Sequence, residues 1–435
     1  MASSPTYTQA LRYWLKLGCT SFGGPAGQIA MMHSELVDKR RWISEGRFLH
    51  ALNYCMVLPG PEAQQLATYI GWLMHGTKGG IAAGALFVLP SLLLLIALSW
   101  AYMAVGAGVS TTLLYGVKPV VVAIVLFAAW RIGNKVLKQP VLWAVAALAF
   151  LALFWRLPFP LLVLGAGLLG WLLRARLKGA TTHASASQAP HPSALIDDDT
   201  PIPAHALFRW SRLVAVLLIG LLLWAAAMAA LLLAAGPDAA YVHMSRFFSQ
   251  AALVTFGGAY AVMPYVFQNA VQTFGWLTPT QMLDGLALGE STPGPLIMVV
   301  AFIGYVAGWA QAQPGFAAPL AAALGAVVAT YFTFLPSFIF ILAGGPWVEH
   351  TRDNFRLAGP LTAITAAVVG TILSLAAFLA WHLLWPQGWS GGFDAIAAAM
   401  AVAASVALVR NWLGVVPLIV LGAGMGVFLK LAGLA

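Results

Sequence analysis

Two carboxylates stand beside proline-glycine-proline triplets. Glu62 directly follows Pro59-Gly60-Pro61, and Glu290 lies three residues before Pro293-Gly294-Pro295. An ionisable group inside an apolar segment is costly and marks an ion path by default. Glu62 and Glu290 are therefore candidate proton carriers, and protonation would also remove their repulsion of an anion. The plainer reading of Glu62 is a cap on the helix that starts there. Each triplet has an upstream partner: Phe22-Gly23-Gly24-Pro25 in one case, Phe256-Gly257-Gly258 in the other. Glycine frees φ, and proline stops one helix and suits the first turn of the next. Such breaks expose backbone N–H groups at helix N-termini, where the positive end of the dipole suits an anion. Hydroxyl and amide side chains lie around them: Ser21, Thr255, Ser291, Thr292, Asn53, Gln64 and Gln65. This set suits binding of an oxyanion by dipoles, and it contains no catalytic constellation.

Other chemistries find little support. The nine histidines are scattered and no HExxH spacing occurs, so neither a metal nor another cofactor is expected. Cys19 and Cys55 make neither a disulfide framework nor a metal site. GWLMHGTK at 71–78 imitates a phosphate loop but has Thr77-Lys78 in the wrong order. GAGLLG at 165–170 fits a dinucleotide fingerprint by letter but lies in an apolar run, where small residues pack helices. Lys118 reads as a snorkelling residue near an outer helix end, and Asp284 is ambiguous.

The elements that must position these residues are set by composition. Of 435 residues, 61% are hydrophobic and 8% charged, against about 25% charged in soluble domains. Soluble folds, disordered chains and nucleic-acid binders are excluded as classes. The apolar runs are long and unbroken, unlike the short alternating segments of a transmembrane barrel. The chain reads as an all-α polytopic membrane protein, with the lipid bilayer as its main partner. Its N-terminus lacks the pattern of a cleaved signal peptide. The net charge of +9 is mostly topological. Of 22 basic residues, 17 lie at or before Arg212, as expected if the first half's loops face the cytoplasm.

The chain is duplicated. An offset of 234 carries SFGG at 21–24 onto TFGG at 255–258, Trp42-Ile43-Ser44 onto Trp276-Leu277-Thr278, and the first PGP onto the second. YIGW at 69–72, LPS at 89–91 and PLLVLGAG at 160–167 recur in the same order. The expected organisation is a first repeat at 1–175, a flexible cytoplasmic linker at 176–211, an extra transmembrane helix at 212–239 and a second repeat at 240–435. Basic loops of one repeat face uncharged loops of the other: Lys39-Arg40-Arg41 aligns with Thr273-Phe274-Gly275. This predicts inverted-topology repeats with broken or re-entrant helices. Parity then requires nine full spans plus two broken segments per half. The arms flanking each PGP have 12–15 residues, where crossing takes roughly 20.

The runs SFGGPAGQIAMMH, LPGPEAQQLATYIGW, TFGGAYAVMPYVF and STPGPLIMVVAFIGY resemble the chromate ion transporter family. The resemblance covers nearly the whole chain outside the linker. It implies a two-domain, multi-pass carrier of the cell inner membrane that exports chromate and confers chromate resistance. The family's strongest shared blocks fall on Phe22, Gly23, Gly24, Pro25, Pro59, Gly60, Pro61 and Glu62, and on Phe256, Gly257, Gly258, Pro293, Gly294 and Pro295. Ala259 stands where a second Pro25 would be, so that role does not transfer. The alternatives are a carrier of another tetrahedral oxyanion such as sulfate, a passive channel, and, from another class, a membrane-embedded lipid enzyme. A homodimer is compatible with the sequence.

Overall fold

The computed structural model describes residues 5–433 except 23, 105–106, 156, 174–193, 198–199, 202, 257, 312–316, 351–357, 387 and 389–390, and only the backbone of 26, 107–114, 154, 350 and 358–359. The described chain is helical, with a single isolated bridge between Ile43 and Ile196. The first half comprises α1 (Tyr7–Thr20), α2 (Gly24–His33), α3 (Glu45–Val57), α4 (Glu62–Ala104), α5 (Ala107–Val136), α6 (Pro140–Phe154) and α7 (Phe159–Leu172). Then follow α8 (Trp210–Ala235), α9 (Ala240–Val254), α10 (Ala259–Phe267), α11 (Pro279–Ser291), α12 (Val299–Ala310), α13 (Ala318–His350), α14 (Ala358–Leu384), α15 (Ala395–Val409) and α16 (Val415–Leu431).

The sequence repeat has a physical meaning at each station. The repeated Trp-x-Ser/Thr is a helix cap. Ser44 accepts from the Arg47 N–H at the start of α3, and Thr278 accepts from the Gln281 N–H at the start of α11. A π-helical turn follows α2 at Ser34–Lys39 and α10 at Gln268–Thr273, again 234 residues apart. His75 and Gly76 leave helical geometry and split α4 into arms 62–74 and 77–104. Its counterpart is divided into α12 and α13.

The arms around each PGP fold back on one another. The rings of Tyr54 on α3 and Tyr69 on α4 lie 5.8 Å apart, although 14 residues separate them. A methyl group added at Gly285 on α11 would lie 2.4 Å from the ring of Phe302 on α12. Arms of about 13 residues reach about 20 Å, short of a hydrocarbon core of about 30 Å. Neither arm alone is long enough to span. Nine other helical runs stand where spans are expected. Five candidate spans, one of them α4 including its short arm, are long and apolar enough to cross a membrane. The other four expected spans, α6, α7, α15 and α16, have only 14–17 residues. Gln139-Pro140, Pro158 and Gly414 open α6, α7 and α16, and Asp394 caps α15. They come as two adjacent pairs, so the parity of the remaining spans is unaffected.

The halves interleave. α5 packs against α14, α15 and α16, while α14 packs against α6 and α7. Small residues permit this: a methyl group at Gly116 would meet the Gly422 carbonyl at 1.9 Å, and one at Gly370 the Ala146 carbonyl at 2.0 Å. Gly165, expected to pack a neighbour, has nothing within 4 Å, and Gly167 instead meets Ile364. The linker also departs from expectation. Its first part, to 193, lies outside the described residues. The rest is held by its backbone: Leu195 and Ile196 donate to the carbonyls of Arg41 and Trp42, and Ser44 N–H donates to Ile196. Ile196 and Ala206 are buried in the first half's core, and His205 Nε2 lies 2.9 Å from the Trp72 carbonyl beside the α4 kink. Two buried apolar residues and a hydrogen-bonding strand segment outweigh the flexible composition.

Candidate functional site: the crossed FGG and PGP breaks

The two halves close each other's breaks. Gly60 N–H donates to the Thr255 carbonyl at 2.7 Å, and Gly294 N–H donates to the Ser21 carbonyl at 2.9 Å. Gly60 and Gly294 are repeat-equivalent, as are Ser21 and Thr255. The pair of bonds is thus a reciprocal exchange between halves. Each glycine has positive φ, +128° at Gly60 and +107° at Gly294, and each is seated on a serine of the opposite half. A methyl group at Gly60 would lie 2.4 Å from Ser337 Oγ, and one at Gly294 would lie 2.6 Å from Ser91 Cβ. Ser91 and Ser337 are the serines of the repeated LPS. Gln28 adds a further crossing, its amide donating to the Gly294 carbonyl. Gln65 donates to the Pro59 carbonyl at 2.8 Å and to Ser337 Oγ at 3.4 Å.

The FGG breaks approach each other at the same place. A methyl group at Gly258 would lie 3.8 Å from Glu62 Oε1 and 4.0 Å from Pro25, and one at Gly24 would lie 3.9 Å from the Tyr260 ring. Tyr260 OH donates to Glu290 at 2.7 Å. Glu62 of the first half and Glu290 of the second therefore flank one short stretch, Gly258 to Tyr260. The hydroxyls of Ser21 and Ser91 are fully buried and meet no acceptor among the described residues. They are hydrogen-bond donors left over in a region where such groups are normally paired.

Two ion pairs tie the PGP arms to the opposite half. Asp284 on α11 meets Lys118 of α5 at 3.1 Å and accepts from Tyr102 OH of α4 at 2.9 Å. Arg47 on α3 donates to Glu349 near the end of α13, and Tyr69 donates to the other oxygen of that carboxylate. Lys118 is thus paired and largely buried, not snorkelling, because an acid of the other half lies beside it. Among the described residues no group of three or more His, Cys, Asp or Glu side chains is arranged to hold a metal.

The family model of the chromate transporter matches residues 8–171 and 242–427. The chain belongs to the chromate transporter family. It is 37% identical over 372 residues to the chromate transport protein of Pseudomonas aeruginosa, covering 84% of this chain and 79% of that one. It is 30% identical to the chromate transport protein of Cupriavidus metallidurans, covering 85% of this chain and 82% of that one. A probable chromate transport protein of Synechococcus elongatus is 29% identical over 85% of this chain and 84% of its own. No solved structure matches.

Each matched stretch of this chromate transporter carries one FGG and one PGP break, and α8 with its preceding linker falls between them. The expected site residues do not all converge. Ser21, Gly24, Pro25, Gly60, Glu62, Thr255, Gly258, Glu290 and Gly294 meet at the crossing, with Pro59, Pro61, Pro293 and Pro295 shaping it. Phe22 and Phe256 are half-buried beside it, and Gly23 and Gly257 lie outside the described residues. Gln64 turns away, donating to Thr68 of its own helix at 3.0 Å, because consecutive helical residues point about 100° apart. Its neighbour Gln65 takes the place instead. Ser291 and Thr292 give their hydroxyl protons to the Leu288 and Gly289 carbonyls at the end of α11, so they are not spare donors. Asn53 makes no hydrogen bond among the described residues. The N–H groups of Gly60 and Gly294, expected to face an anion, are given to carbonyls. Sequence reasoning missed Tyr260, Gln28, Ser91 and Ser337. The LPS repeat was the one signal for the two serines.

Proposed function

We propose that this chain is a secondary transporter that carries chromate out across the bacterial inner membrane and so confers chromate resistance. The observation that carries the substrate is likeness to named chromate transport proteins across 84–85% of the chain, in both halves. The membrane potential, negative inside, favours export of a dianion by about 4.6 kcal/mol per 100 mV, from about 2.3 per charge. The reading takes the repeats as inverted, a plan supported by the uneven distribution of basic loops and by the reciprocal bonds at Gly60 and Gly294. One half then rocks against the other about the crossed breaks. The anion binds beside the crossing, at Ser21, Ser91 and the unpaired first-turn N–H groups of α2, α4 and α10. Glu62 or Glu290 takes the coupling proton.

Proteoliposomes holding the full chain test this. Chromate flux should saturate, respond to an imposed potential in the stated direction, and depend on pH. Glu62→Gln should remove the pH dependence while the protein still inserts and folds. Flux of Glu62→Gln that follows wild type at every pH refutes coupling through Glu62, and absence of chromate flux in wild type refutes the substrate.

A further inference from the structure

We propose that Arg47 is a second oxyanion-binding residue, on the side of the Lys39-Arg40-Arg41 loop, and that the transported anion and Glu349 compete for its guanidinium. The proposal rests on the oxyanion-transport reading above. Arg47 sits in the first turn of α3, twelve residues before Pro59 and thus about 18 Å along the helix from the crossing. Its side chain is 2% exposed and that of Glu349 is 1% exposed. Only Nη1 reaches the carboxylate. Nε and Nη2 are buried and meet no acceptor among the described residues. Those two nitrogens form the edge of the guanidinium that grips two oxygens at once, the geometry that suits carboxylates and tetrahedral oxyanions.

A buried fork left empty of partners is costly in the interior of a chain with so few charges. A purely structural tie between α3 and α13 would gain from turning that edge toward Glu349, where both oxygens could be held. Instead Tyr69 on α4 takes the second oxygen. Tyr69 thus holds Glu349 beside Arg47, and the carboxylate keeps that donor if Arg47 lets go. The helix that carries it has a weak point nearby. Gly344-Gly345-Pro346 lies one turn earlier in α13, and Pro346 cannot donate to the turn before it. Gly344 and Gly345 abut Tyr54 OH and the Trp72 ring, so a bend there would carry Glu349 away from the α3–α4 hairpin. The Lys118–Asp284 pair offers no parallel, since an ammonium has no fork to leave open.

The test is equilibrium dialysis of chromium-51-labelled chromate against the purified full-length protein in detergent, with labelled sulfate as a second probe. Glu349→Gln removes the competitor and should tighten binding about threefold to tenfold, while Arg47→Lys keeps the charge but loses the fork and should weaken it about tenfold. Tyr69→Phe, a mild change, leaves Glu349 more dependent on Arg47 and should weaken binding about twofold to threefold. A structural tie predicts that Glu349→Gln and Arg47→Lys act in the same direction. Glu349→Gln binding no tighter than wild type, or Tyr69→Phe binding no weaker, overturns the Arg47 site while leaving chromate transport standing. Wild type that binds neither anion overturns both.

Discussion

Gly60 and Gly294 hold the crossing together because nothing larger can occupy them. Their φ values lie where L side chains rarely go, and each is pressed on a serine. Gly60→Ala and Gly294→Ala should each lower stability by about 1–3 kcal/mol from backbone strain alone. Thermal unfolding of the purified protein measures this. Replacing Ser337 by Gly in the Gly60→Ala background should recover the part due to contact and leave the part due to φ. Equal melting of wild type and both alanine variants would contradict this account. These glycines were legible in the sequence because Gly and Pro do backbone chemistry that no other residue does. Gln28 and Tyr260 were not legible. Gln28 meets its partner 266 residues away, and Tyr260 meets Glu290 across 30; neither spacing matches any local period.

At the scale of elements, one PGP arm of each half, α3 and α11, is moored to the other half by an ion pair. Asp284→Asn should strand Lys118 and cost about 3–5 kcal/mol, whereas the double variant Lys118→Met, Asp284→Leu should regain most of it. Denaturant or thermal unfolding of the three proteins distinguishes a mooring from an incidental contact: no penalty for Asp284→Asn would remove it. The Pro-Gly-Pro interruptions foretold the broken arms; of the nine full spans expected, five are long and apolar enough to cross a membrane among the described residues. α6, α7, α15 and α16 have only 14–17 residues, fewer than the roughly 20 that a crossing takes. Lys118 and Asp284 looked unrelated in sequence, each with a bland reading of its own, since only the packing of α5 on α11 joins them.

For the whole molecule, the duplication, the linker and the surplus of positive charge in the first half were readable from 435 letters. The docking of Leu195, Ile196, His205 and Ala206 was not, because Ser, Pro and Asp predict flexibility until two apolar residues find a core. A chain cut between residues 180 and 190 should still transport when both pieces are made together, since the halves join through packed helices and crossed hydrogen bonds. Either piece alone should carry no chromate. Flux in vesicles holding a single piece would show that a half can close its own breaks.

The exchange at Gly60 and Gly294 also sets an order of events during synthesis. When the first half, residues 1–175, has entered the bilayer, the Gly60 amide awaits the Thr255 carbonyl, which is still roughly 80 residues and, at about 5–20 residues per second, some 4–16 seconds from being made. Through that interval the Pro59-Gly60-Pro61 tip carries an unpaired donor in an apolar surrounding. Arrival of α9, with the Thr255 carbonyl at its end, closes that gap.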